Sequence, residues 1–171
     1  VFYADEQARA IMHNSTEVKK ALTQRYGSRL YDKNGSLRRK KLAEIIFQDE
    51  AERKFVNGIV HPLVGEAFRN WAGKQQSPYV LEEAAILLES GGHLNMDGVI
   101  VVTAPAEVRI KRVMMRDGAT RQQVEARMSR QWPDERRTPY ADYLIYNDGK
   151  QLLIPQVVHI DQAIRQRLQN A

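Results

Sequence analysis

The chain of 171 residues contains no cysteine. That absence excludes disulfides, thiolate nucleophiles and cysteine-ligated metals together. Long apolar runs are missing as well: mean hydropathy is −0.54, and the longest hydrophobic stretches fall far short of the about 20 residues a bilayer requires. No basic segment leading into an apolar stretch, the pattern of a secretory signal, stands in these residues, and the expectation is a cytoplasmic protein. The four histidines (His13, His61, His93 and His159) have no metal-ligand spacing, so no zinc site is expected. There is no internal repeat and no low-complexity tract. A Gly-x-x-x-x-Gly-Lys-Ser/Thr phosphate loop is also lacking. The Gly-Lys pairs are Gly73-Lys74 and Gly149-Lys150, and neither has a glycine five positions upstream.

What is present suits a globular α/β protein. Hydrophobic residues make up 43% and charged ones 27%, enough to build the core of one domain but too little chain for two full ones. Net charge is +5, and all of it resides in one window. Between Arg109 and Arg137 stand nine Lys or Arg against four acids, leaving the rest of the chain neutral. Eight of the nine are arginine, the side chain suited to bidentate grip on phosphate oxygens. A solvated basic face and a docking place for a polyanion both fit this window.

Periodicity places the elements. Val1 to Asp5 reads as a strand running into a turn, and because a domain seldom begins inside a strand, an N-terminal piece is expected to precede it. Helices are expected over Glu6–Met12 and, after the cap Asn14-Ser15-Thr16, over Glu17–Tyr26, with Gly27 as the stop. Asp32-Lys33-Asn34-Gly35 reads as a turn, with Ser36 capping a helix that aligns Leu37, Leu42, Ile45 and Ile46. Asp49 and Glu52 have capping-box spacing. His61-Pro62 is expected to end one helix and start another, since proline is tolerated in a first turn. Further on, a strand is expected from Tyr79 to Ala85 or Ile86 and another over Gly98–Thr103. A helix launched by Pro105 should run through Arg116, followed by one capped by Thr120 and Gln123 and reaching about Arg130. A short strand over Tyr143–Tyr146 leads into the turn Asn147-Asp148-Gly149, and Leu153, Val157, Ile160, Ile164 and Leu168 mark a closing amphipathic helix. Strands alternating with helices imply a parallel, doubly wound sheet that binds ligands at the carboxyl ends of its strands.

Asp5 stands at such a strand end, with Arg9 four residues on. An acid held beside a guanidinium can orient a hydroxyl and accept its proton late in a transfer; a surface ion pair of little energetic weight fits the same spacing. Glu82 and Glu83 are adjacent, so at most one of them faces a site. Arg109, Arg112 and Arg116 share one helix face, and Arg127 and Arg130 share the next. Two arginine-bearing helices joined at Asp117-Gly118-Ala119 would form a hinged flap of the kind phosphoryl transfer needs. A nucleic-acid surface would use similar charge, although Trp132 alone interrupts it with an aromatic ring.

An ordered set of motifs then resembles the dephospho-CoA kinase family: Tyr3-Ala4-Asp5-x-x-Ala8-Arg9, Asn34-Gly35-Ser36-Leu37-x-Arg39-x-x-Leu42, His61-Pro62-Leu63, Ile86-Leu87-Leu88-Glu89, Arg112-x-x-x-Arg116-Asp117, Arg121, Arg127-x-x-x-Gln131 and Ala141-Asp142-x-x-Ile145-x-Asn147. The resemblance implies one domain over residues 1–171 of the P-loop kinase type, lacking its first strand and phosphate loop. It implies a helical region for the CoA substrate over 15–75 and an arginine-rich lid over 109–138. It further implies ATP-dependent phosphorylation of the ribose 3′-hydroxyl of dephospho-CoA, with ATP and Mg²⁺ required and the metal ligands mainly in the phosphate loop. By resemblance Asp5 is the base, Arg9, Arg39 and His61 serve the substrate, and Arg112, Arg116, Arg121 and Arg127 belong to the lid. Asn147 would then lie near the adenine. Tyr3 stands where relatives usually carry a further Asp. Neither nucleic acid nor membrane is expected as a partner. The alternatives are another small-molecule or nucleoside monophosphate kinase, or a nucleic-acid-binding module.

Overall fold

A computed structural model describes residues 1–170, the side chain of Gln48 excepted. It is a mixed α/β protein with parallel strands, and its contacts divide it into two compact units, Val1–Ala85 and Ile86–Ala171.

In the first unit a short parallel pair, β1 (Phe2–Tyr3) and β2 (Glu82–Glu83), is covered by four helices. These are α1 (Ala4–Asn14), α2 (Thr16–Tyr26), α3 (Arg39–Gln48) and α4 (Glu50–Ala72). Phe2 pairs with Glu82 and Tyr3 with Glu83, and the Phe2 N–H donates to Leu81 O at 2.8 Å. The expected strand over 79–86 is therefore reduced to two residues, because β1 offers only two for pairing. α1 starts at Ala4, so Asp5 lies in the first turn of a helix rather than at the tip of a strand. Ser15 caps α2 as expected, accepting from Val18 N, and Gly27 ends it at φ +82°.

Three local expectations are corrected. Ser36 does not cap α3: its N–H donates to the Asp32 side chain and its carbonyl accepts from Asp32 N, so the turn holds it and the helix begins at Arg39. Asp49 caps α4, accepting from Ala51 N and Glu52 N, but Glu52 does not reach back to complete a box. Its carboxylate instead takes Arg25 at 2.6 and 2.7 Å and the Tyr26 hydroxyl at 2.6 Å. Finally, His61-Pro62 does not break the chain, and α4 runs unbroken for 23 residues with Pro62 inside it. Val56, Val60 and Val64 are buried on both sides of the proline, and this shared apolar face outweighs one missing ladder hydrogen bond. The core they enter contains Val18, Leu22, Leu30 and Leu42, with Phe2 set edge-on to Phe68 at 5.4 Å.

The second unit is built on the parallel pair β3 (Ile100–Thr103) and β4 (Tyr143–Tyr146), aligned from Ile100↔Tyr143 to Thr103↔Tyr146. Asp142 anchors the register by accepting the Val99 N–H at 2.7 Å, and Asn147 N continues the ladder to Thr103 O. Glu89 accepts the Trp132 N–H at 2.7 Å, a structural duty for an acid of the Ile86-Leu87-Leu88-Glu89 run. α5 (Ala106–Asp117) follows Pro105 and ends at Gly118, φ +64°. The Thr120–Gln123 capping box opens α6 (Arg121–Met128) with both of its hydrogen bonds formed. A one-turn helix α7 (Asp134–Arg137) leads back to β4, and α8 (Leu153–Gln169) closes the unit. Within the expected apolar stripe of α8, Ile160 is buried while Leu153, Val157 and Leu168 remain exposed. Among the described residues no helix is long and apolar enough to cross a membrane.

Candidate active site

In the first unit, α1 packs along α4, and this brings His61 within the electrostatic influence of Asp5. Burial pushes the half-buried His61 imidazole below its usual range, and the Asp5 carboxylate opposes that shift. Arg9 lies four residues beyond Asp5 on α1, yet no ion pair joins them among the described residues, and both side chains are exposed. The expected Asp5–Arg9 pair is thus not formed among the described residues, and the Asp5 charge acts instead on the His61 ring of α4. Arg39 is the exposed first residue of α3. Glu82 is half-buried beside β1, and burial raises its carboxyl above the ordinary range. Glu83 faces the opposite way and is exposed, as alternation along a strand requires.

In the second unit the arginines expected in the flap are held by named partners. Arg112 donates from Nη1 to the Asn147 carbonyl at 2.8 Å, which joins two of the residues singled out from the sequence. Arg116 donates to both carboxylate oxygens of Asp117, at 2.8 and 3.2 Å, and Arg127 donates to the same carboxylate at 3.2 Å. Arg116, followed by Arg127, keeps the Asp117 carboxyl below its ordinary range. Arg121 reaches Glu107 at 2.7 and 2.9 Å and Glu125 at 3.2 Å, tying the start of α6 to α5.

A cluster that sequence reasoning did not assemble lies where β3 ends. Asp134 accepts the Thr103 hydroxyl and Arg137 Nη2, with Arg109 Nη1 at 3.5 Å. Burial would raise this carboxyl, but the hydroxyl and the two guanidinium groups outweigh it and hold it low. Nε of Arg109 and Nε of Arg137 are buried without a hydrogen-bond partner among the described residues. Thr103, Arg109 and Asp134 of this cluster line a cavity of about 530 Å³, together with Pro105, Tyr146 and Asp148. The cavity opens at the carboxyl ends of two parallel strands, the ligand side of such sheets. Thr103 closing a β-branched strand was the sequence signal for this place; of the Asp134 partners, Arg137 is three residues on, while Thr103 and Arg109 stand far back in the chain and left no sign of the contact.

Among the described residues, no group of three or more His, Asp or Glu side chains is placed to hold a metal ion.

Comparison with known proteins covers nearly the whole chain. The model of the CoaE dephospho-CoA kinase family matches residues 1–152. A dephospho-CoA kinase of Bacteroides fragilis is 32% identical over 169 residues, covering 98% of this chain and 82% of that protein. One from Porphyromonas gingivalis is 37% identical over 171 residues, covering 99% and 84%. Among solved structures, a Thermus thermophilus protein superimposes with a TM-score of 0.82 at 28% identity, over 95% of this chain and 82% of the other. The dephospho-CoA kinase of Campylobacter jejuni gives 0.61 at 25% identity, over 99% and 85%.

Proposed function

Because the chain belongs to the dephospho-CoA kinase family, whose members use ATP to phosphorylate dephospho-CoA, we propose that Asp5 is the base that readies the acceptor hydroxyl. The observation that carries this reading is the placing of Asp5: first turn of α1, immediately after β1, exposed and without an ion-pair partner among the described residues. The acceptor is the ribose 3′-hydroxyl of dephospho-CoA, and the product is coenzyme A. The 3′-oxygen forms a bond to the γ-phosphorus of ATP, the bond from that phosphorus to the β,γ-bridging oxygen breaks, and ADP leaves. Asp5 receives the hydroxyl proton late in this transfer.

The helical region over 15–75 takes the acceptor, with Arg9 and Arg39 supplying positive charge and His61 flanking Asp5. The flap over 109–138 is the lid of a doubly wound, P-loop-type kinase domain. Arg112, Arg116 and Arg127 face the phosphates. Arg121, gripped by two acids, braces the two lid helices and so contributes indirectly. Asn147 borders the adenine, and its carbonyl links to Arg112. Mg²⁺ arrives with ATP as part of the substrate complex; the described side chains form no metal-holding cluster.

The test is a coupled ADP-release assay on the full-length protein, with dephospho-CoA, nucleosides and nucleoside monophosphates as acceptors. Turnover with dephospho-CoA alone is expected. Preferential phosphorylation of a nucleoside monophosphate would overturn the substrate assignment. ATP-independent retention of oligonucleotide that weakens steeply with salt would favour a nucleic-acid module instead.

A further inference from the structure

We propose that Asp117 is a positioning residue for phosphoryl transfer, holding Arg116 and Arg127 together as one two-guanidinium clamp for the triphosphate of ATP. The inference rests on the reading of α5 and α6 as the nucleotide-facing lid and adds to it the group that sets the arginines' geometry.

Three observations carry it. First, Asp117 is the last residue of α5, where the helix dipole disfavours a negative charge. The helix itself gives no reason for an acid there, and the compensating charges are Arg116 and Arg127. Second, the acid is the sheltered member: the Asp117 side chain is 28% exposed, against 74% for Arg116 and 59% for Arg127. The guanidinium groups lie outside and the carboxylate behind them. Third, the pairing leaves donors over. Arg116 uses Nε and Nη2, and Arg127 uses Nη1 alone. Nη1 of Arg116 and Nε and Nη2 of Arg127 have no protein partner among the described residues.

One carboxylate thus holds two cations closer together than their mutual repulsion would otherwise allow. Their unused N–H groups remain available to anionic oxygens, and guanidinium donors are the side-chain groups best suited to phosphate. The pair also bridges the joint between α5 and α6 at Gly118, whose left-handed φ of +64° ends the first helix. Arg121 differs, since three oxygens from two acids already surround it.

Steady-state kinetics of the full-length protein, varying each substrate in turn, test this. Asp117→Asn is expected to lower kcat/KM for ATP about tenfold, leaving KM for dephospho-CoA within about twofold. Asp117→Glu, which keeps the charge, should recover most of that loss. In an Arg116→Ala/Arg127→Ala background, adding Asp117→Asn should change kcat/KM for ATP by less than about twofold, because the groups it acts through are gone. Unaltered ATP kinetics in Asp117→Asn would overturn the proposal, as would an equal loss in the arginine-free background or an equal rise in KM for dephospho-CoA. If the wild-type protein does not phosphorylate dephospho-CoA, the functional reading fails instead. The clamp is then judged by calorimetric ATP binding, which Asp117→Asn should weaken and which, if unchanged, removes it.

Discussion

His61 of α4 carries an imidazole pushed toward the neutral form by burial and pulled back by the carboxylate of Asp5 on α1. Burial prevails. The ring on which the Asp5 charge acts is therefore uncharged at neutral pH.

Asp5→Asn removes the acceptor while keeping the size of the side chain. In the full-length protein kcat should fall by roughly 10²–10⁴-fold with little change in either KM. Turnover close to wild type in the ADP-release assay would take the base role away from Asp5.

The His61 shift fixes a pH dependence. The folded-state affinity for the proton is depressed, so below the ordinary histidine value of about 6.5 the unfolded chain takes up a proton that the folded chain resists. Stability should be complete above about 6.5 and decline as pH falls through the window beneath it. Urea midpoints between pH 7.5 and 5 should decline less for His61→Gln than for wild type. Parallel profiles would show that the His61 ring has the same proton affinity in the folded and unfolded chain, and so that burial does not depress it.

Glu52, Arg25 and Tyr26 predict changes at both ends of the pH scale. Arg25 and the Tyr26 hydroxyl hold the Glu52 carboxyl at about 2, well under its ordinary 4.5, so its stabilising contribution is present above 4.5 and is lost as pH falls toward 2. Burial, with the Glu52 contact next, raises the Tyr26 phenol to about 12. Its contribution is complete below the ordinary 10 and is lost as pH climbs through 12. In Glu52→Gln the ultraviolet titration of tyrosine should show one phenol returning toward 10, and the acid unfolding curve should flatten between 4.5 and 2. A titration superimposable on wild type would show that the triad does not form in solution.

Pro62 deprives α4 of one ladder hydrogen bond halfway along its length. Pro62→Ala restores the donor, against which the mutant's unfolded chain gains conformational freedom. A net gain of about 1–2 kcal/mol is expected from urea unfolding. A loss of stability would mean that the ring's own packing outweighs the missing bond.

What was legible in the sequence was what neighbours in the chain decide among themselves. The Thr120–Gln123 box, the Ser15 cap and the Asp32 turn all depend on partners within a few residues. Glu52 shows the opposite case: its spacing from Asp49 suggested a box, but Arg25 and Tyr26, on another helix, offered three donors and a full charge. Pro62 was misjudged for the same reason, because the apolar contacts that carry α4 past it come from α1 and α3. At the candidate site, motif order singled out Asp5, His61, Arg112 and Asn147; the last two are joined by a hydrogen bond, and the charge of the first acts on the ring of the second. The cluster around Asp134 and the sharing of Asp117 by Arg116 and Arg127 had no such signal, since side-chain direction, not spacing, creates them.

The chain has two tryptophans, and each compact unit holds one. Trp71 lies 5.6 Å from the Phe2 ring of β1, and Trp132 lies beneath the Arg136 guanidinium at 3.6 Å. The molecule accordingly contains its own two optical reporters, one per half. Replacing either by phenylalanine would let intrinsic fluorescence follow the remaining half alone, through melting or through titration with ligand, without any attached dye.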